Sequence, residues 1–445
     1  MFHRVLVANR GEIALRIIEA CRELSMEAIA VYSEADRDMP YLRLADQSIC
    51  IGPAHAGRSY GNEAAILSAA ELAGAEAIHP GYGFLSENPE FVELCEQHGF
   101  VFVGPSQHTM KLLGDKAAAR EAVIDAGVPV LPGGLLEQNG EAPEEMADRI
   151  GYPVLVKAVF GGGGRGMRWV DNPPDLLSEI AAAQAEAKAA TGNEKLYMEK
   201  ALRDPRHVEV QILADQHGGI VHLGERECSV QRRHQKLIEE SPAPRLSNET
   251  RQALHEAALA AAAAANYANA GTVEFVLGED ERFYFIEMNA RIQVEHPVSE
   301  MVTGIQLIKE QLRVAAGESL GYGQDAIQVR GHAIECRINA EDPERGFMPS
   351  SGTVTVRELP GGPGVRVDSH LFSGLRMTPH YDSLLAKLVT HGRDREEARI
   401  KMYTALQRFR VDGVATTCDV AQRIISSPEF RDARITTSFL AKRLP

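Results

Sequence analysis

The sequence predicts a multidomain protein that combines α/β and α+β architecture. Three observations carry that expectation. The first hundred of its 445 residues alternate strand-like and helix-like segments, as a parallel, doubly wound sheet requires. Residues 130–201 read as a small α+β unit around a glycine run. Residues 206–445 mix strands, one strong hairpin signal and Gly/Pro turns with only a few helices.

In order, "RVLVAN", "EAIAVYS", "EAIHP" and "FVFVG" are expected strands. "EIALRIIEACREL", "NEAAILSAAELAG" and "PEFVELCEQHG" are the helices between them. The first turn, "ANRGEIA", has one glycine and does not match GxGxxG, so it is weak support for a dinucleotide site. A helical stretch follows over 109–126. Beyond it come "YPVLVKAVFGGGGRGMRWV", a helix from Pro174 to about Ala190 and the strand "LYMEKAL". Further helices are expected over 249–266, 304–316 and 395–410. No internal repeat and no low-complexity tail is evident.

Composition narrows the function classes. Hydrophobic residues are 44% and charged residues 24%, ordinary for a globular chain. A net charge of −15 argues against a nucleic-acid binder, whose footprint is basic. The apolar run 257–265 is far shorter than the roughly 20 residues of a membrane span, and no signal peptide is visible. Cys21, Cys50, Cys95, Cys228, Cys336 and Cys418 form no CxxC pair, which suits a reducing cytoplasm.

The chemistry concentrates in three places. Residues 161–164 are four glycines, too entropically costly for a strand and suited to a loop whose N–H groups approach anionic oxygens. Lys157 precedes them in an apolar strand, where a lysine is expected at an edge. No GK[ST] follows, so this is not a Walker A loop. Lys116 by itself reads as a solvated helix residue. The basic run "ERECSVQRRHQK" (225–236) suits a polyanionic ligand or simply a wet face.

The third place is "FIEMNARIQVEH" (285–296). Between 287 and 295 every second residue is polar: Glu287, Asn289, Arg291, Gln293 and Glu295. In a strand these share one face, and Pro297 would stop it. Upstream, "GEDE" signals a hairpin. A two-residue loop sets Glu274 opposite Glu287, and a four-residue loop sets it opposite Phe285. Either way the carboxylates come within about 5–8 Å. Such a pair repels unless a cation intervenes, and Mg²⁺ is commonly held by one or two carboxylates with phosphate oxygens. Asn289 is a further oxygen donor. Arg291 can hold a planar anion, and Glu295 can take its proton. Together with a phosphate lid, the row reads as an ATP-dependent reaction at an oxyanion, giving an acyl phosphate. An exposed hairpin with wet carboxylates is the competing reading.

"GGGGRGM", "ERECSVQRRHQK", "EMNARIQVEHPV" and "GHAIECRINAED", with "HPGYGFLSEN" (79–88) and "VPVLPG" (128–133), resemble the biotin carboxylases, a family of ATP-grasp ligases. The resemblance runs over essentially the whole chain. It implies a Rossmann-like N-terminal domain (1–114), a helical linker (115–129), an ATP-grasp lid (130–201), an ATP-grasp catalytic domain (202–330) and a β-rich C-terminal domain (331–445). It implies that bicarbonate and MgATP form carboxyphosphate, and that biotin on a carrier protein becomes carboxybiotin.

Carried over residue by residue, Lys116 and Lys157 match phosphate-binding lysines, and Gly163, Gly164 and Met167 match lid contacts. Glu199, Lys200 and Leu202 match the adenine pocket, with His207, Gln231 and His234 around the nucleotide. Glu274 and Glu287 match ligands of Mg²⁺ or Mn²⁺, beside Asn289. Arg291, Gln293 and the Val294 N–H match bicarbonate contacts, and Glu295 the general base. Lys236 and Arg337 match cations that stabilise carboxyphosphate. Arg337 also matches a stabiliser of the biotin enolate, and Tyr82 a biotin-side residue. Phe160, Glu227 and Ala290 depart from the family pattern, but none is a proposed catalytic side chain.

The resemblance further implies a cytoplasmic homodimer that works with a biotin carboxyl carrier protein and carboxyltransferase subunits, most commonly in the acetyl-CoA carboxylase of fatty-acid synthesis. No "AMKM" biotinylation sequence is present, and Pro445 falls where free-standing subunits finish, so a free-standing subunit is expected. The alternatives are a subunit of another acyl-CoA or pyruvate carboxylase, an ATP-grasp ligase for another acid, and an ATP-sensing subunit without turnover. The strip ending in Glu295, together with Arg337, favours bicarbonate.

Overall fold

The computed structural model describes residues 2–136, 141–159 and 167–443. The glycine run, Gly163 and Gly164 within it, and Phe160 lie outside the described residues. Near the N-terminus, β1 (Arg4–Val7), β2 (Glu27–Tyr32), β3 (Gln47–Cys50), β4 (Ala77–His79) and β5 (Val101–Phe102) form a wholly parallel sheet of order β3-β2-β1-β4-β5. Only β3 escaped the sequence reading, because "QSIC" is short and only partly buried.

Alternation within the strands splits the core. Val5, Val7, Ala28 and Ala30 pack with Ile13 and Ile17 of α1 (Gly11–Glu23) on one face. Leu6, Ile29, Val31 and Ile78 pack on the other with Ile66 and Leu67 of α2 (Glu63–Ala73) and Phe91 of α3 (Pro89–Gln97). The sheet is therefore doubly wound. Its strand order reverses between β1 and β4, the crevice where open α/β sheets bind ligands.

The expected single helix over 109–126 is two, α4 (Gln107–Gly114) and α5 (Lys116–Asp125). Asp115 breaks it: its extended backbone (φ −93°, ψ 104°) ends α4, and its carboxylate accepts the N–H groups of Ala117 and Ala118 to start α5. Lys116 thus occupies the first turn of a helix.

A four-stranded antiparallel sheet follows, from β6 (Gly133–Leu135), β7 (Val154–Ala158), β8 (Arg168–Val170) and β9 (Leu196–Lys200), in the order β6-β9-β7-β8. The helices α6 (Pro143–Ile150) and α7 (Leu176–Thr191) cover it through Met146, Ile150, Leu176, Ile180 and Ala183. Strand β7 lies between β9 and β8, so Lys157 is on an interior strand and not at an edge.

The largest element is an eight-stranded antiparallel sheet. It joins β10 (Arg206–Ala214), β11 (Ile220–Arg232), β12 (Gln235–Ser241), β13 (Asn269–Leu277), β14 (Phe283–Asn289), β15 (His332–Asn339) and the strands Leu384–Gly392 and Val365–Ser369. Strand β12 pairs with β15, so one continuous sheet crosses residue 330. The helix α8 (Asn248–Ala264) packs with Val208, Val210 and Val273 of this sheet on one face. The opposite face is lined with charge and partly covered by α9 (His296–Thr303). The helix expected over 304–316 is α10 (Leu307–Ala315), and that over 395–410 is α11 (Arg395–Arg408). No helix among the described residues is long and apolar enough to cross a membrane.

Candidate active site

The polar strip is not one strand. Strand β14 ends at Asn289, residues 290–295 turn, and Glu295 is the residue that enters α9. Pro297 sits in the first turn of that helix, where its missing N–H costs nothing, and does not stop a strand. The apolar partners still point inward: Met288, Ala290 and Ile292 are buried.

The hairpin register also differs from both expected loops. Leu277 pairs with Phe283, and Gly278 N–H donates to Arg282 O at 2.9 Å, which leaves a three-residue loop. Continued unbroken, that register would set Glu274 against Ile286, on the wrong face. A bulge between Glu274 and Phe275 restores the pairing of Glu274 with Glu287.

Glu274 lies inside a dense polar network. Its Oε1 accepts from Lys236 Nζ (2.9 Å), Asn289 Nδ2 (2.9 Å) and Gln293 Nε2 (3.2 Å), and its Oε2 lies 2.9 Å from His207 Nε2. Burial pushes this carboxyl up, but Lys236 and His207 outweigh it and hold it well below the usual range. Glu287 receives no such relief. Burial and the neighbouring Glu274 raise its proton affinity, with Lys116 opposing. Two facing carboxylates, one of them only partly compensated, make a donor pair that fits Mg²⁺, while Asn289 turns its amide nitrogen to Glu274 and its oxygen to Arg291.

Glu295 is completely buried. Its Oε1 accepts from Lys236 Nζ at 2.7 Å and its Oε2 from Arg337 at 2.9 Å. Burial again pushes the carboxyl up, and Lys236, Arg337 and Arg226 together hold it well below the usual range. Lys236 also donates to Glu209 at 2.5 Å, and Arg337 Nε donates to Glu239 at 2.6 Å. Both cations therefore keep a second carboxylate in place. Arg291 is fixed by Glu87 (3.0 Å), Gln293 Oε1 (3.0 Å) and Asn289 Oδ1 (3.2 Å).

Glu274, Glu287, Asn289, Arg291, Gln293, Lys236 and Arg337 line one cleft of about 1090 Å³, and Glu295 lies buried behind it against Lys236 and Arg337. Lys116, Lys157, Met167, Glu199, Lys200, Leu202, His207, Gln231 and His234 line one end. Arg291, Gln293, Val294, Lys236 and Arg337 line the middle, and Tyr82 the far side. Lys157 Nζ donates to Glu199 across β7 and β9 at 2.7 Å. Lys200 turns its ammonium to the carbonyls of Gly151 and Tyr152 (2.9 and 2.8 Å). Burial lowers the Lys116 pKa, partly offset by Glu287. Tyr82 follows β4 at the switch point, where Asn9 Nδ2 donates to Pro80 O and Tyr82 O (2.6 and 2.7 Å) and joins the two crossover loops.

The basic run 225–236 is the β11–β12 hairpin, with Arg233 and His234 at positive φ in its turn (48° and 65°). The run is not one wet face. Arg226 is wholly buried, bonded to Glu209 (2.5 Å), Gln211 (2.6 Å), Ser299 (3.0 Å) and Thr272 (3.1 Å). Glu227 holds Arg206 and Ser229 away from the cleft, and Ala290 donates its N–H to Glu87. Sequence reading missed Glu209, Glu239 and Glu87. Only the first carries a usable signal: "HVEVQI" has the polar/apolar alternation that marks residues 287–295, whereas the strand holding Glu239, "QKLIEES", has none.

A lysine-lined nucleotide end, a facing carboxylate pair and a buried carboxylate between two cations, under a separate antiparallel sheet, define an ATP-grasp ligase. Comparison with known proteins agrees. Residues 1–110 match the biotin carboxylase N-terminal domain family, 115–322 the ATP-binding domain family of carbamoyl-phosphate synthase L chain, and 335–442 the biotin carboxylase C-terminal domain family. Biotin carboxylase of Allochromatium vinosum is 53% identical over 100% of this chain and 99% of its own. A biotin carboxylase–βγ-ATP complex from Campylobacter jejuni superposes with a TM-score of 0.96, at 48% identity over 100% of this chain and 99% of its own. The biotin carboxylase domain dimer of Hydrogenobacter thermophilus 2-oxoglutarate carboxylase, solved with MgADP, ADP and bicarbonate, gives 0.94 at 46% identity, covering 99% and 98%. The chain belongs to the biotin carboxylase family.

Proposed function

We propose that this chain carboxylates biotin with bicarbonate at the expense of ATP, by way of carboxyphosphate, giving carboxybiotin, ADP and phosphate. The observation that carries this reading is Glu295, buried between Lys236 and Arg337 at the end of the Arg291–Gln293 strip. Lys116 and Lys157 meet the phosphates, with Met167 beside them. Glu199, Lys200, Leu202, His207, Gln231 and His234 surround the nucleotide. Glu274 and Glu287, beside Asn289, would hold Mg²⁺ or Mn²⁺, which when bound offsets phosphate charge.

Arg291, Gln293 and the Val294 N–H orient bicarbonate, and Glu295 takes its proton at a carboxylate oxygen. The oxygen so freed attacks the terminal phosphorus of ATP, and ADP leaves. With both cations on Glu295 its carboxylate is a weak base. An anion that draws Lys236 and Arg337 toward itself raises the proton affinity of Glu295. Basicity is thereby tied to an occupied site. When carboxyphosphate breaks down to CO₂ and phosphate, the phosphate deprotonates the biotin ureido nitrogen, and Arg337 faces the resulting enolate, with Tyr82 on the biotin side.

The separate sheets support our divisions at residues 114, 129 and 201, whereas the eight-stranded sheet runs across the division we place at 330. We place the chain in a cytoplasmic homodimer that serves a biotin carboxyl carrier protein and carboxyltransferase subunits, in acetyl-CoA carboxylase first. A dimeric solved relative supports the dimer, and six free cysteines support the compartment. That relative is part of a 2-oxoglutarate carboxylase, which favours a second reading with a different final acceptor.

The test is ADP release with Mg²⁺ and bicarbonate, with and without free biotin. Biotin is expected to raise the rate. A rate indifferent to biotin would sink the assignment.

A further inference from the structure

The peptide that presents the Val294 N–H is held from behind at both flanking carbonyls. Gln293 O accepts from His296 Nδ1 at 2.8 Å and from the His296 backbone N–H at 3.3 Å. A carbonyl only accepts, so this ring nitrogen carries a proton. Burial, with Lys387 and Arg366 adding to it, holds the imidazole well below its ordinary pKa and therefore neutral. Its other nitrogen, Nε2, is buried without a hydrogen-bond partner. The ring spends its one donor on Gln293.

Val294 O accepts from Lys387 Nζ at 3.2 Å. Lys387 is wholly buried on the strand Leu384–Gly392. Its ammonium lies 3.0 Å from Glu12 Oε2 and 3.8 Å from Asp368 Oδ2. The other oxygen of Glu12 accepts from the Tyr82 hydroxyl. One buried cation therefore connects the start of α1, the biotin-side tyrosine, a C-terminal strand and the anion strip. Charge balance alone would not require this. A buried ion pair is often no more stabilising than an apolar pair of similar volume, so what this pair supplies here is a donor aimed at Val294 O.

We propose that His296 and Lys387 form a two-point clamp that fixes the direction of the Val294 N–H and so sets affinity for the planar anion bound there. Neither touches that anion; both are positioning residues. The inference rests on the bicarbonate reading given above.

The test is the KM for bicarbonate against the KM for MgATP, in bicarbonate-dependent ADP release. Lys387→Met combined with Glu12→Gln removes the ion pair without stranding a buried carboxylate. We expect the double variant to raise the bicarbonate KM about tenfold or more, a typical cost of a charge-assisted hydrogen bond, with the MgATP KM within about twofold. His296→Leu should do the same, and His296→Asn, which keeps a donor near the position of Nδ1, should restore a bicarbonate KM close to wild type. Should the double variant fail to fold, the His296 pair decides. Unchanged bicarbonate KM, or equal rises in both KM values, would overturn the clamp alone. Wild-type ADP release that ignores bicarbonate would overturn the function and the clamp with it.

Discussion

Replacing Glu295 by Gln separates the proposed base from its surroundings. The amide has nearly the same volume, so packing in the fully buried site is kept. The change removes one carboxylate between two cations 2.7 and 2.9 Å away. Lys236 retains Glu209 and Glu274, and Arg337 retains Glu239, so neither is left as an isolated buried charge. The cost to stability should therefore lie at or below the lower end for breaking a buried pair, about 3 kcal/mol. Loss of a positioned base costs typically 10²–10⁴ in rate, so turnover should fall about 10²-fold or more. Nucleotide affinity should be unchanged, because no nucleotide-end side chain bonds to Glu295. Bicarbonate-dependent ADP release measures the first, ADP titration the second and urea unfolding the third. Wild-type turnover in a folded Glu295→Gln protein would refute the role of the base. Loss of nucleotide affinity would refute the separation of the two ends.

Other expectations follow from the same network. Arg337→Ala should harm biotin carboxylation more than bicarbonate-dependent ATP hydrolysis; equal losses would remove Arg337 from the biotin step. Arg226→Met leaves the buried Glu209 with Lys236 and, at 4.0 Å, His207, and should cost about 3–5 kcal/mol in urea unfolding; a cost under 1 kcal/mol would contradict the network. Glu335 sits directly across from Glu239, and both of its oxygens are buried without hydrogen-bond partners. Burial and Glu239 push its carboxyl well above the ordinary 4.5, against Lys387 and Arg337; burial likewise pushes Glu239 up to about 7, with Arg337 opposing and Glu295 adding. A raised folded-state pKa contributes stability that is complete below about 4.5 and is lost as pH rises through the folded value. Wild-type stability should thus decline from about pH 5 through 7 and above, and Glu335→Gln should flatten that decline; parallel pH dependences of stability for the two proteins would exclude a raised Glu335 carboxyl.

Much of the site is legible in short periodic runs. The alternation in "EMNARIQVE" marks the apolar face, where Met288, Ala290 and Ile292 are buried as that pattern requires, but not that Asn289, Gln293 and Glu295 on the polar face are buried as well. The runs do not reveal where the strand stops. Glu295 owes its position to the turn over 290–295 and to α9, whose place depends on packing against β15 and the strand Leu384–Gly392. Nor does the hairpin sequence disclose its register: a three-residue loop with a bulge and a two-residue loop without one both bring Glu274 to Glu287, and only backbone hydrogen bonding separates them. Lys116 shows the limit most clearly. By pattern it is a solvated helix residue, yet a broken helix turns it into the cleft.

Taken alone, the sequence determined the classes: a doubly wound parallel sheet, a hairpin carrying two carboxylates, and residue types suited to metal, anion and proton. These depend on local periodicity and turn chemistry, which act over a few residues. The tertiary structure decided which charges meet. Glu209, Lys236 with Glu239, Glu335 with Arg337, and Lys387 come from four different strands, and their pairing depends on sheet order and register. Their protonation follows from burial and from distances of a few ångströms. Electrostatic interaction falls off with separation in space, not along the chain, so the basicity of Glu295 and the clamp on Val294 exist only in the folded protein.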